Sequence, residues 1–334
     1  MIITRTPFRI SFFGGGTDYP TWFREHGGAV LGTAIDKYCY ISLRQLPPFF
    51  EHRHKIVYSR VETVQTIEEI QHPAVRGVLG EFKVTAGMEI HHDADLPARS
   101  GLGSSSAFTV GLINALRAFE GRMSSAEFLG REAIRIEQEV IGENVGSQDQ
   151  LWAAYGGTSL IEFRPDGGFA VSPVIMPATR RAEFERHLML FFTGFSRIAS
   201  EVAGKKIQNL LARERQLKAM RQMVDVGLAV LQDESRDVAE IGRLLHQGWM
   251  MKRELAEGVT TGAIDEIYEA ARAAGAVGGK LLGAGGGGFM LLFAEPERHE
   301  AVRQALPGLV EVRFKTGAPG SRVMVYEPDG LGQP

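Results

Sequence analysis

The residues best suited to chemistry stand at 97–107, Pro-Ala-Arg-Ser-Gly-Leu-Gly-Ser-Ser-Ser-Ala. Apolar periodicity predicts a helix over Ala107–Phe119, directly behind them. A glycine-rich loop opening a helix aims unpaired N–H groups and the positive dipole end at one point, a ready place for phosphate. One serine there is an ordinary helix cap, but three behind Gly101-Leu102-Gly103 exceed what capping needs. The hydroxyls of Ser104, Ser105 and Ser106 suit phosphate oxygens or a hard cation such as Mg²⁺. Phosphoryl transfer to an alcohol also calls for a carboxylate on the metal, and often a second one to take the alcohol proton. Glu137, on a predicted helix Ser125–Ile141, and Asp149, beyond Gly142 and Gly146, offer that pair. The residue types alone leave Glu132, Glu139 and Glu143 open beside Glu137.

Two further glycine clusters, Gly14-Gly15-Gly16 and Gly283-Ala284-Gly285-Gly286-Gly287-Gly288, need a place in the same scheme. Glycine is 40 of the 334 residues, about 12% against a typical ~7%. A Walker loop is excluded, because G-x-x-x-x-G-K-[ST] does not occur. Gly283, Gly285 and Gly288 fit G-x-G-x-x-G formally. A dinucleotide fingerprint leads into a helix, however, whereas Phe289–Phe293 reads as a strand, which argues against a nicotinamide dehydrogenase.

The remaining composition narrows the class. With 44% hydrophobic and 23% charged residues the chain reads as globular, and its length suits two domains. A formal charge of −3 argues against a nucleic-acid partner held by bulk charge. No run reaches the ~18 apolar residues of a membrane helix, and the first residues do not read as a signal peptide, so a cytoplasmic, membrane-free protein is expected. The single cysteine, Cys39, excludes a disulfide framework. His52, His54, His91 and His92 are expected at the surface rather than on a metal.

Strands are predicted at Ile2–Phe12, Ile35–Leu46, Lys55–Ser59, Met88–His92, Thr158–Phe163, Phe169–Val174 and His187–Phe192. Helices are predicted at Ser147–Ala154, Ile198–Gln232, Val238–Ala256 and Gly262–Ala274, followed by strand, helix and two strands at Phe289–Phe293, Arg298–Ala305, Leu309–Phe314 and Arg322–Tyr326. Leu210, Leu217, Val224 and Leu231 recur every seventh residue, and are read as core rather than a coiled-coil seam. The Pro/Gly-rich stretch 164–179 marks the boundary between halves. The expected class is α+β.

Together these motifs resemble the GHMP kinases, the family of galactokinase, homoserine kinase and mevalonate kinase. The likeness is carried by Pro7-Phe8-Arg9 through Gly14 to Thr17-Asp18-Tyr19, by Pro97–Ala107, and by Lys280-Leu281-Leu282 through Gly288, in the family's order. It implies a ribosomal-S5-like α/β domain binding ATP and Mg²⁺ over 1–175. A helix-rich α+β domain over 176–334 follows, with the active site in the cleft between. Galactokinase-like members place a glutamate twelve residues before an aspartate, as Glu137 and Asp149 stand here. By that match Glu137 and Ser105 look like the Mg²⁺ ligands and Asp149 the base. Gly101 to Ser106 would line the ATP phosphates, Arg9 would stand near the reacting hydroxyl, and Asp18 would hold the sugar.

Where galactokinases carry Glu-His, this chain has Gly15-Gly16, which speaks against galactose and for a larger or differently oriented sugar. Leu282 replaces a threonine common in the third motif. The segments 12–20 and 192–197 look most like those of D-glycero-D-manno-heptose 7-phosphate kinases, which phosphorylate the anomeric hydroxyl. Fucokinases share parts of both, and a non-catalytic sugar sensor is a further alternative. Arg197, after a Thr-Gly turn, is the first choice for the substrate phosphate, with Arg99, Arg180 and Arg181 as alternatives. Gly15, Gly16, Gly285 and Gly286 are expected on the substrate side. The implied partner is a small sugar phosphate, and a homodimer is left open.

Overall fold

The computed structural model describes residues 1–98, 100–194 and 213–329. The first sheet starts from β1 (Ile2–Phe13), a strand with ten fully buried positions in its burial pattern. After α1 (Pro20–His26), the chain returns along β2 (Gly28–Gln45), antiparallel to β1 from Ile2↔Leu43 to Phe13↔Leu31. The next elements are β3 (His54–Val57), β4 (Val61–Val64), α2 (Pro73–Glu81) and β5 (Met88–Ala94). Then come α3 (Ser104–Phe119), α4 (Ala126–Arg135), a π-helical turn (Ile136–Val140), α5 (Gln148–Tyr155), β6 (Thr158–Phe163) and β7 (Phe169–Pro173).

β2 serves different partners along its length. Gly28–Thr33 pairs with β6, and Cys39–Gln45 pairs with β5. Its early half lies outside the predicted strand because Gly28 and Gly32 mask the strand pattern. The structure explains Gly32: a β-carbon there would stand 2.5 Å from Ile10 O and 2.7 Å from the Trp152 ring.

The second half contains α6 (Ala178–Arg186), β8 (Leu188–Phe192), α7 (Glu214–Gln232), α8 (Ala239–Arg253), α9 (Gly262–Ala273), β9 (Ala276–Leu281), β10 (Phe289–Ala294), α10 (His299–Ala305), β11 (Val310–Glu311) and β12 (Arg322–Tyr326). Four of these strands form a second, antiparallel sheet in the order β11-β8-β10-β9. β12 does not join it. It pairs with β1 and closes the first sheet, whose order is β12-β1-β2-β5-β3-β4, with β6 and β7 continuing from β2. A division at residue 175 therefore separates the two sheets except for this strand. The main apolar core is also continuous across both halves, running from Phe8 and Ile10 to Leu291 and Phe293.

β9 escapes the sequence reading for the same reason as early β2. Gly278 sits within it because the backbone of α8 passes so close that a β-carbon would stand 1.8 Å from Gly242 O. Leu217, Val224 and Leu231 are buried in the core, as read, while Leu210 lies outside the described residues. His54 is a correction: it is buried at the start of β3, not at the surface. α3 is the central helix, with twelve of its sixteen residues buried, so the packing of its body fixes where its first turn stands.

Candidate active site

The glycines of the 101–106 loop adopt backbone conformations that call for glycine. Gly101 and Gly103 have φ of 85° and 75°, in the region where side chains are disfavoured. Gly103 is the residue before the first turn of α3, and no side chain caps that turn. Ser104, Ser105 and Ser106 therefore occupy the first helical turn, whose N–H groups have no intrahelical partner.

Arg9, buried on β1, joins this loop to the acid. Its backbone N–H donates to Leu102 O at 3.0 Å and its Nη1 to Gly101 O at 2.6 Å. Its Nε and Nη2 both donate at 2.8 Å to the two carboxylate oxygens of Asp149, a bidentate ion pair. Asp149 stands in the first turn of α5 and keeps 25% of its side chain exposed. A β-carbon on Gly103 would lie 3.1 Å from Arg9 Cγ and 3.4 Å from Asp149 Oδ2, so the glycine leaves the pair open beside the helix start.

Glu137 lies in the π-turn that continues α4, where the periodicity predicts unbroken helix to Ile141. The bond from Ile141 N–H to Ile136 O at 2.8 Å closes the wider turn. Its carboxylate is buried beside the first turn of α3. Oε2 accepts from Ser106 Oγ at 2.9 Å and from Gln150 Nε2 at 2.5 Å, whereas Oε1 has no hydrogen-bond partner. Burial pushes the carboxyl up to about 7, helped by the charge of Glu143, against the pull of the Thr109, Ser106 and Gln150 side chains. A buried carboxylate with one orphaned oxygen beside serine hydroxyls is a donor set that fits a hard divalent cation. The serine touching Glu137 is Ser106; Ser105, the expected companion, is exposed on the first turn of α3.

The first glycine cluster forms the turn after β1. Asp18 is 1% exposed, accepts from Gly16 N–H at 2.8 Å, and its carbonyl accepts from Ser147 N–H at 2.9 Å. A β-carbon on Gly146 would stand 1.9 Å from Asp18 Oδ2. Asp18 therefore stitches the Gly14–Gly16 turn to the entrance of α5. Tyr19, also buried, has its hydroxyl pKa pushed up first by burial and then by the charges of Asp18 and Asp149.

The third cluster abuts the second, backbone to backbone. A β-carbon on Gly283 would fall 2.4 Å from Gly101 Cα, and one on Gly288 would fall 2.3 Å from Ser100 O. Gly285 and Gly286 pack against Val259, with Gly286 N–H donating to Val259 O at 3.0 Å. Lys280, which opens this motif on β9, donates to Ser11 O at 2.9 Å and Phe12 O at 3.0 Å of β1. Lys252 on α8 donates to Leu281 O and Gly283 O at 2.7 and 2.6 Å. These two lysines and Gln150 tie the motifs together but carry no periodic signal.

Arg197 and Arg99 lie outside the described residues. Arg180 is buried against the carbonyls of Asp233 and Arg236, at 2.8 and 2.6 Å, and so holds a turn rather than facing the cleft. Among the described residues no group of three or more His, Cys, Asp or Glu could hold a metal, and no helix is long and apolar enough to cross a membrane.

Known proteins resemble this chain in sequence and in fold. The sequence model described as "GHMP kinases N terminal domain" matches residues 64–157, and "GHMP kinases C terminal" matches 228–311. The chain belongs to the GHMP kinases. Membership makes it a kinase, a phosphotransferase. A D-glycero-alpha-D-manno-heptose 7-phosphate kinase of Campylobacter jejuni is 28% identical over 320 residues, 91% of this chain and 93% of that one. A bifunctional fucokinase/GDP-fucose pyrophosphorylase of Arabidopsis thaliana is 27% identical over 92% of this chain, which spans 31% of that larger protein. The crystal structure of a D-glycero-D-manno-heptose 1-phosphate kinase from Bacteroides thetaiotaomicron superposes with TM-score 0.71 and 25% identity. That match covers 98% of this chain and all of the other.

Proposed function

We propose that this GHMP kinase transfers a phosphoryl group from ATP to the anomeric hydroxyl of D-glycero-D-manno-heptose 7-phosphate, giving the 1,7-bisphosphate. The observation that carries the reading is the bidentate Arg9–Asp149 pair, held by Arg9 directly against the phosphate loop. It is supported by the heptose-kinase relatives that match nearly the whole chain.

In this reading the ATP phosphates lie on Gly101 to Ser106, where helix dipole and loop amides favour negative charge. Asp149 accepts the proton of the sugar hydroxyl, and Arg9 orients that carboxylate and offsets charge developing beside it. Mg²⁺ would be held by Glu137 together with the hydroxyl of Ser105 or Ser106, and when bound it neutralises charge on the phosphate oxygens. Asp18 shapes the sugar side by fixing the Gly15-Gly16 turn, while Gly285, Gly286 and Arg197 contribute from the second half of the chain.

The test is a screen of ADP release over heptose, heptose phosphates, fucose and hexoses, with the phosphorylated position of each product read by NMR. A 1,7-bisphosphate formed with the highest kcat/KM is expected. Turnover restricted to free sugars would overturn the heptose 7-phosphate assignment, and preference for fucose would move the enzyme to the fucokinases.

A further inference from the structure

Two polar side chains next to the Arg9–Asp149 pair have unspent hydrogen-bonding capacity. Ser11 stands two residues beyond Arg9 on β1, in a stretch of regular register with β2, so the two side chains leave the same face of the strand. Ser11 is only 7% exposed, yet its Oγ has no hydrogen-bond partner. Gln148 precedes Asp149 in the first turn of α5, and its buried Oε1 likewise has none. A buried polar atom left unpaired costs about 1–3 kcal/mol. Two beside one ion pair therefore point to a ligand that completes them.

The place where they converge is defined by Gly15. A β-carbon on Gly15 would lie 3.7 Å from Ser11 Oγ and 3.9 Å from Gln148 Nε2, with nothing nearer. Gly15 is also outside the left-handed φ region that Gly14 and Gly16 occupy, so its backbone does not require glycine. Its missing side chain instead leaves a notch whose walls are one hydroxyl and one carboxamide. Neither is charged, and the nearby guanidinium is committed to Asp149 and Gly101 O. The notch suits neutral hydroxyls, one accepting from the Gln148 amide nitrogen that faces it and one exchanging bonds with the serine, rather than a phosphate or carboxylate.

We infer that Ser11 and Gln148 form a hydroxyl-reading subsite that binds the acceptor at the carbon next to the reacting one, in the space left by Gly15. This rests on the sugar-kinase reading and adds to it the two residues that distinguish one sugar's hydroxyl pattern from another's.

The experiment compares wild-type, Ser11→Ala, Gln148→Met and Gly15→Ala on the preferred acceptor and on its analogue lacking the adjacent hydroxyl. Thermal unfolding and ATP affinity serve as controls for folding. Removing that hydroxyl should lower wild-type kcat/KM by roughly three- to tenfold, the range of one neutral hydrogen bond. Ser11→Ala or Gln148→Met should show a similar loss on the full acceptor and little further loss on the deoxy analogue. Gly15→Ala, whose added methyl meets only ordinary contacts, should fold normally and raise the acceptor KM. Variants that keep wild-type kcat/KM, or that remain as sensitive to the missing hydroxyl as the wild type, overturn the subsite. Should either polar variant fail to fold, Gly15→Ala decides: an unchanged acceptor KM overturns the notch. A wild-type enzyme without any sugar acceptor would overturn the kinase reading itself, an outcome visible before any variant is made.

Discussion

Replacing Glu137 by glutamine should stabilise the metal-free protein at alkaline pH and leave it unchanged at acid pH. In the unfolded chain this carboxyl ionises near its ordinary 4.5, and in the folded protein near about 7. Below 4.5 both states hold the proton and the wild type suffers no penalty. Between the two values the folded protein keeps a proton that the unfolded chain releases, so stability falls as pH rises, and above about 7 the whole penalty is in place. A gap of about 2.5 on the pH scale, at 1.36 kcal/mol per unit, corresponds to about 3 kcal/mol. For a chain of this length unfolding as one unit, that is a difference in Tm of about 4 °C. The assay is denaturant or thermal unfolding of both proteins from about pH 3.5 to 8 in chelator. Glu137→Gln should match wild type below about pH 4, gain on it progressively above 4.5, and exceed it by the full amount at about pH 8. Saturating Mg²⁺ should restore the wild type at pH 8 and do little for the variant. Parallel curves across this range would refute the claim that burial holds the Glu137 carboxyl above its ordinary range in the folded protein.

The same proton should appear in turnover: kcat/KM for nucleotide should fall on the acid side of about 7, and raising Mg²⁺ should move that limb to lower pH. Asp149→Asn should lower kcat by about 10²–10⁴ while ATP still binds; near-wild-type turnover with saturating acceptor would remove Asp149 as base. Arg9→Lys, which keeps the charge but loses the two-pronged grip on Asp149, should cost about 10² in kcat, read by steady-state kinetics. Gly283→Ala, forced against Gly101 Cα with φ of 73°, should destabilise the fold by about 2–4 kcal/mol, measured by chemical unfolding.

The catalytic motifs were legible because their chemistry needs glycine and serine in fixed order. The Gly101–Ser106 loop and the strand behind Gly288 can be read from residues alone, whereas the choice of Glu137 among its neighbouring glutamates needed the family resemblance; the structure brings these segments to one place. The misreadings also have physical causes. A strand is hidden when glycine replaces the β-branched residues that announce it, and β9 and early β2 use glycine because a helix backbone or an indole ring lies against them. The π-turn leaves the apolar pattern of its helix intact, so periodicity ran through it. That Asp18 fastens two loops is likewise beyond its motif, because it depends on burial and partners that only the fold supplies. Ser11 and Gln148 are ordinary residues whose meaning depends on what fails to touch them.

The pairing of β1 with β12 carries a cost during synthesis. Ile2 meets Tyr326, 324 residues later in the chain (326 − 2). At 5–20 residues per second the outer edge of the first strand therefore emerges roughly 16–65 s before its partner exists. Through that interval the Ile2–Arg5 end of β1, the part that β12 pairs with, has its outer amides and carbonyls unpaired, which invites pairing with another chain. The first sheet cannot be completed as synthesis proceeds, and a fragment ending before Arg322 would keep that edge open however well the rest had folded. Molecular chaperones that cover exposed strands should matter more for this enzyme's yield than its unremarkable composition implies.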